Sequence, residues 1–152
     1  MVKVKVDSSG YGGRKLLKRM QVYTSDRQNR VISLKVTGQV EKIVNIVPQV
    51  VRLTGPFNET IRSRVKINPA EKYPFSITGT EIKRGQDILA DLEKISEKDN
   101  TWELVVENRK STIGRYFDVI TLITDSKLKP RIKIRVFGNI VDRGKEAIRQ
   151  TP

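Results

Sequence analysis

Apolar and polar positions alternate with period two through most of the chain, the signature of strands with one buried face. Residues 2–6 read Val-Lys-Val-Lys-Val, with Val2, Val4 and Val6 on one side and Lys3 and Lys5 on the other. Asp7 to Gly13 is turn material. Residues 16–24 predict a strand with Met20 and Val22 inward, and Ser25 to Asn29 turn the chain. Residues 31–37 predict another strand, with Ile32, Leu34 and Val36 on one face and Ser33, Lys35 and Thr37 on the other. After Pro48 come short strands at 50–54, 59–67 and 75–82, punctuated by Gly55-Pro56, Asn68-Pro69 and Arg84-Gly85. In Asp87 to Ile95 the spacing of Ile88, Leu89, Leu92 and Ile95 also fits a helix, but its place between β runs favours a strand. Trp102, Leu104 and Val106 alternate again, 116–124 is apolar on both faces, and Ile132, Ile134 and Val136 point opposite Arg131, Lys133 and Arg135.

The pattern repeats. Displaced by one hundred residues, Val6, Thr24, Ile32, Val36 and Gly38 meet Val106, Thr124, Ile132, Val136 and Gly138 without a gap. Met20, Val22 and Leu34 meet Ile120, Leu122 and Ile134. Short strands separated by turns, without sustained helical periodicity, predict an all-β, immunoglobulin-like β-sandwich. Residues 46–140 have the size and strand number of one complete domain. Residues 1–40 match only its last three strands, so they predict the C-terminal half of a second domain. Residues 141–152 read as a polar tail or a short helix. Half a sandwich cannot leave its apolar face in water. Val4, Val6, Met20, Val22, Ile32, Leu34 and Val36 are therefore expected to be covered, either by further N-terminal sequence or by a partner. A homodimer through residues 1–40 needs only one self-complementary patch.

Charge adds a second theme. The 152 residues carry a net +13, of which 1–40 contribute +7, 41–100 only +1, and 101–152 +5. The excess thus sits in the two repeated segments. A basic surface attracts nucleic acid, anionic polysaccharide or anionic lipid, or simply keeps a protein soluble. Arg131, Lys133 and Arg135, with Arg30 and Lys35 in the other copy, are the candidate polyanion-binding residues. Lysines and arginines on an edge strand also guard against unwanted pairing, and that alternative stays open. Phe117, Val119 and Ile123 stand opposite the inward Ile120 and Leu122. A strand apolar on both faces is expected to be covered on both, which makes these three a candidate protein interface.

Catalytic chemistry is sparse. The chain has no His and no Cys. It therefore lacks an imidazole base, a thiolate nucleophile and the usual zinc ligands. Asp87, Asp91 and Glu93 cluster, as do Glu97 and Asp99, but solvated loops and edges account for them, and the spacing is not that of a calcium loop. The glycines at 10, 12 and 13 lack the Gly-Lys-Ser/Thr ending of a phosphate loop. Asn58-Glu59-Thr60 fits a glycosylation sequon, a weak pattern. No cofactor or metal site is expected, and no apolar run approaches the roughly 20 residues of a membrane helix, so no membrane insertion is expected either.

Val6-Asp7-Ser8, Val22-Tyr23-Thr24-Ser25-Asp26 and Leu34-Lys35-Val36-Thr37-Gly38-Gln39-Val40 resemble the second half of a bacterial domain-of-unknown-function family of tandem immunoglobulin-like domains, related to hydin-type domains. Pro48 and Val51-Arg52-Leu53-Thr54-Gly55 resemble the opening of the next such domain. The turn departs from the family pattern, with Ser25 for Asn and Arg27 for Pro. The family's Cys-Gly-Cys-Thr element would fall before residue 1, which implies that the chain is part of a longer protein. The resemblance implies an exported, periplasmic or extracytoplasmic module without established activity. Together these readings predict a non-enzymatic interaction or scaffold module with an unknown protein partner. The alternative is a basic module that binds a polyanion, nucleic acid or anionic polysaccharide.

Overall fold

The computed structural model describes residues 3–8 and 10–142; the expected tail beyond Asp142 lies outside them. The chain forms two compact units, Met1–Ile43 and Val44–Pro152. Among the described residues the second unit holds eight strands in two sheets. One sheet is ordered β3 (Val44–Val47), β5 (Arg62–Pro69), β8 (Thr101–Asn108) and β7 (Ile88–Ser96). The other is ordered β4 (Val50–Pro56), β10 (Arg131–Val141), β9 (Gly114–Thr124) and β6 (Ile77–Ile82). All pairs are antiparallel except β4 with β10. The first strand is split. The chain pairs with β5 through β3, passes the cis Val47–Pro48 peptide, and pairs with β10 through β4. This is the immunoglobulin arrangement, in which strands A, B, E and D face C, F and G. The expected sandwich is present, and Asp87 to Ile95 falls largely in a strand, as its neighbours require.

The alternation read from the sequence decides which side chains meet between the sheets. Val65 and Ile67 of β5 and Leu104 and Val106 of β8 are fully buried. Facing sheet residues Val51, Leu53, Ile120, Leu122, Ile134 and Val136 are fully buried as well. A polar group enters this layer only where its bonds are met. Asp118 is buried, and its carboxylate accepts the backbone N–H groups of Arg84 at 3.1 Å and Gly85 at 2.9 Å, which pins the turn after β6. At the start of β9 the Tyr116 hydroxyl donates to Asn108 Oδ1 at 2.8 Å, tying β9 back to the end of β8. A tyrosine reaching back across this corner is a known immunoglobulin device. Here it is anchored on a side chain that in turn holds Lys110 through its backbone.

Among the described residues the first unit forms a hairpin, β1 (Lys15–Tyr23) with β2 (Val31–Gln39). Its register is that of β9 with β10. Met20 pairs with Leu34 as Ile120 pairs with Ile134, and Val22 with Ile32 as Leu122 with Ile132. The loops agree as well. Thr24 N–H donates to Arg30 O at 2.9 Å, and Thr124 N–H to Pro130 O at 3.0 Å. Each threonine hydroxyl donates to a loop carbonyl at 2.7 Å, of Asn29 and of Lys129. Each also accepts the N–H two residues on, of Asp26 at 3.1 Å and of Ser126 at 3.2 Å. The Gln28 N–H and the Asn29 side chain on the Asp26 carboxylate hold its pKa below the usual carboxylate value.

The third expected strand of this unit does not form: residues 3–8 are not in a sheet. In the second unit its counterpart β8 is laddered between β5 and β7, in the sheet opposite β9 and β10. The first unit has no counterpart of β5 or β7 among the described residues, so alternation at 3–6 finds no ladder. A period-two pattern predicts a strand only when a neighbour completes its hydrogen bonds. Of the residues expected to be covered, Val4 and Ile32 are exposed, while Val6, Met20, Val22, Leu34 and Val36 are half-buried; Leu16 is buried instead.

Candidate functional site

The outer face of the β4-β10-β9-β6 sheet gathers the candidate residues of the second unit. Because Ile132, Ile134 and Val136 face inward, Arg131, Lys133 and Arg135 face outward, and all three are exposed. Phe137 continues the same outward row. On β9 the inward Ile120 and Leu122 leave Phe117, Val119, Thr121 and Ile123 outward. The register sets the two rows side by side: Arg131 beside Ile123, Lys133 beside Thr121, Arg135 beside Val119, and Phe137 beside Phe117. The two rings meet at 4.9 Å between centroids, tilted by 50°, yet Phe117 remains 37% and Phe137 40% exposed. The candidate polyanion row and the candidate protein interface are therefore one surface.

β10 lies inside its sheet, paired to β4 on one side and β9 on the other. Its basic row is therefore not a guard on an open edge. Arg52, exposed on β4 beside Phe137, and Arg115, exposed on β9 beside Asn139, extend the positive surface. Lys83 joins it next to Val119. Among the described residues, Glu81 is the one carboxylate on the outward strand positions of this sheet, and it lies 3.5 Å from Arg131. Sequence reasoning missed Arg52 and Phe137. Neither stands out alone, and only the parallel pairing of β4 with β10 brings them together.

The opposite outer face is built differently. On β5, β8 and their flanks Arg62 meets Glu107 at 2.7 Å, Arg64 meets Glu103 at 3.1 Å, and Arg109 meets Glu107 at 3.7 Å. Asp91 and Glu93 lie outward on β7 in the same sheet. Cations there are matched by carboxylates, whereas the face over β9 and β10 is almost all positive.

In the first unit the expected basic pair does not form a row. Lys35 is exposed on β2 beside Arg19, but Arg30 belongs to the hairpin loop, where its carbonyl accepts from Thr24. Arg30 corresponds to Pro130, one residue before the basic row, so alternation did not apply to it.

The acidic clusters are accounted for structurally. Asp87 faces Lys110 at 3.7 Å, Glu97 faces Lys94 at 2.6 Å, and Asp99 accepts the Ser96 hydroxyl at 3.1 Å. No group of three metal-ligating side chains occurs among the described residues. No helix among them is long and apolar enough to cross a membrane.

No family model matches the chain, and no curated protein matches it. Among solved structures it is similar to domains 4 and 5 of the S-layer protein SbsC, at 10% identity and a TM-score of 0.43 over 73% of this chain and 63% of that one. It is also similar to domains 1–6 of the same S-layer protein, at 8% identity and a TM-score of 0.45 over 88% of this chain and 21% of that one. The chain thus spans less than two thirds of either structure.

Proposed function

We propose that the chain is a non-enzymatic interaction or scaffold module, a tandem immunoglobulin-like part of a larger exported protein, and that it works through the outer face of β9 and β10. The observation that carries this reading is the Phe117–Phe137 pair, left accessible at the centre of a sheet rather than at its margin. Exposed aromatic residues ringed by arginines have the composition of a binding surface. A photoreactive phenylalanine analogue at position 117, compared with one at Val105 on the opposite outer face, tests it in extract of the source cell. Adducts specific to position 117 support the reading; equal labelling at both positions, or none, sinks it.

The rival reading, a polyanion-binding module, is favoured by the unbroken row Arg131, Lys133 and Arg135. Titration with duplex DNA and heparin at two salt concentrations tests it, because binding carried by phosphates or sulfates falls steeply with salt.

For the first unit we propose the C-terminal half of a second immunoglobulin-like domain, its apolar face completed by a partner or by further strands. The shared register and loop bonds of β1-β2 and β9-β10 support this. Light scattering tests the homodimer form: a monomer with protected amides in residues 15–39 rules it out.

A further inference from the structure

We infer that the outer face of β9 and β10 receives an acidic amphipathic helix of a partner protein. The inference rests on the proposal that this face is the working surface, and adds the chemistry of what it binds. Three observations lead to it.

The first is the sidedness of the charge. One sandwich has two outer faces made by the same alternation, yet one is cross-linked by Arg62–Glu107 and Arg64–Glu103 while the other sets Arg52, Lys83, Arg115, Arg131, Lys133 and Arg135 against Glu81. Solubility needs net charge but not sidedness. A one-signed face attracts the opposite sign and repels its own, so a second copy of this face is excluded as the partner.

The second is the apolar stripe beside the basic one. Phe117, Val119 and Ile123 run along β9 parallel to Arg135, Lys133 and Arg131 along β10. A chain of phosphates or sulfates would satisfy the cations and leave the apolar stripe wet. A polypeptide with one apolar ridge and one acidic flank satisfies both.

The third is spacing. Outward residues on a strand recur about every 6.8 Å, and neighbouring strands lie about 4.8 Å apart. On a helix, residues four apart are displaced by about 6 Å along the axis. An apolar ridge at that interval therefore follows β9 while its neighbouring acidic row follows β10. From Arg131 to Phe137 the row is about 20 Å long, which matches a helix of about 13 residues. The Phe137 ring against Phe117 closes one end.

The test uses the full chain, isotopically labelled, and a synthetic helical peptide of about 14 residues bearing a leucine ridge flanked by glutamates. A second peptide carries lysines in place of the glutamates, and heparin is a third probe. The expected result is amide shifts in β9 and β10 with the glutamate peptide, at an affinity at least about tenfold above the lysine peptide and falling with salt. The triple substitution Arg131→Gln, Lys133→Gln, Arg135→Gln and the single substitution Phe117→Ser should each weaken it about tenfold. All four positions are exposed, and unchanged amide spectra elsewhere confirm that the variants fold. Equal binding of both peptides, no shifts with either, or tighter binding of heparin that ignores Phe117→Ser would overturn the inference. Cross-linking at position 117 reports any partner whatever its charge, so adducts there with no peptide binding would discard the acidic helix and keep the face.

Discussion

The ring of Tyr116 lies directly over Gly138, its neighbour across β9 and β10. A Cβ on residue 138 would fall 1.9 Å from ring atom Cε1. The glycine is therefore required for space rather than for a special backbone angle. Gly138→Ala must push the ring off its site and break the bond to Asn108, at a cost of about 1–3 kcal/mol as for other overpacked cores. Tyr116→Phe keeps the packing and loses one hydrogen bond, about 1 kcal/mol. Urea denaturation of the two variants should rank them in that order.

Tyr116 also has a pH signature. Burial first, then the negative charges of Asp87 and Asp118, push its phenol up to about 12 from an ordinary 10.0. In alkali the unfolded chain loses this proton before the folded one does. The folded state then holds more protons, so stability falls as pH rises through that window. The tyrosinate absorbance of the native protein should show one of the four tyrosines titrating late. Tyr116→Phe should remove both the late step and that part of the alkaline loss.

Asp118 is expected to be costly to replace. Asp118→Ala leaves two backbone N–H groups of the turn after β6 without their acceptor, for about 3 kcal/mol. Asp118→Asn keeps one acceptor oxygen and should cost less. Thermal melts, with amide exchange at Arg84 and Gly85, distinguish a loosened turn from a general loss.

Thr24→Ala and Thr124→Ala remove the same bonds from equivalent loops and should each cost about 1 kcal/mol of local stability. Amide exchange should quicken at Asp26 in one variant and at Ser126 in the other. Replacing Arg62 or Glu107, by contrast, should change stability by less than about 1 kcal/mol, because exposed ion pairs contribute little.

Most of the fold was legible because burial and alternation are coupled. Ile132, Ile134 and Val136 named both the inner face of β10 and, by exclusion, the basic row on its outside. The repeat was legible because apolar side chains at matching positions fix the register in both copies. Residues 3–6 were misread because a pattern cannot show whether neighbouring strands are present. The outer face of β9 and β10 was seen as two surfaces because cross-strand register is not written in a single strand. Arg52 in particular is brought to Phe137 by a parallel pairing more than eighty positions away in sequence.

The shared register has a consequence for folding. Two hairpins share one register, and one side chain tells them apart at the place where β9 is pinned to the turn after β6. Lys18 occupies the place of Asp118. Docked there, its ammonium would meet the Arg84 and Gly85 N–H groups, donor against donor, in a buried site. In its own hairpin Lys18 is exposed and bonded to the Tyr11 hydroxyl at 3.1 Å. The sign of one charge thus separates two hairpins that otherwise match in register. Lys18→Asp should remove that discrimination, and refolding at high concentration should then yield swapped oligomers.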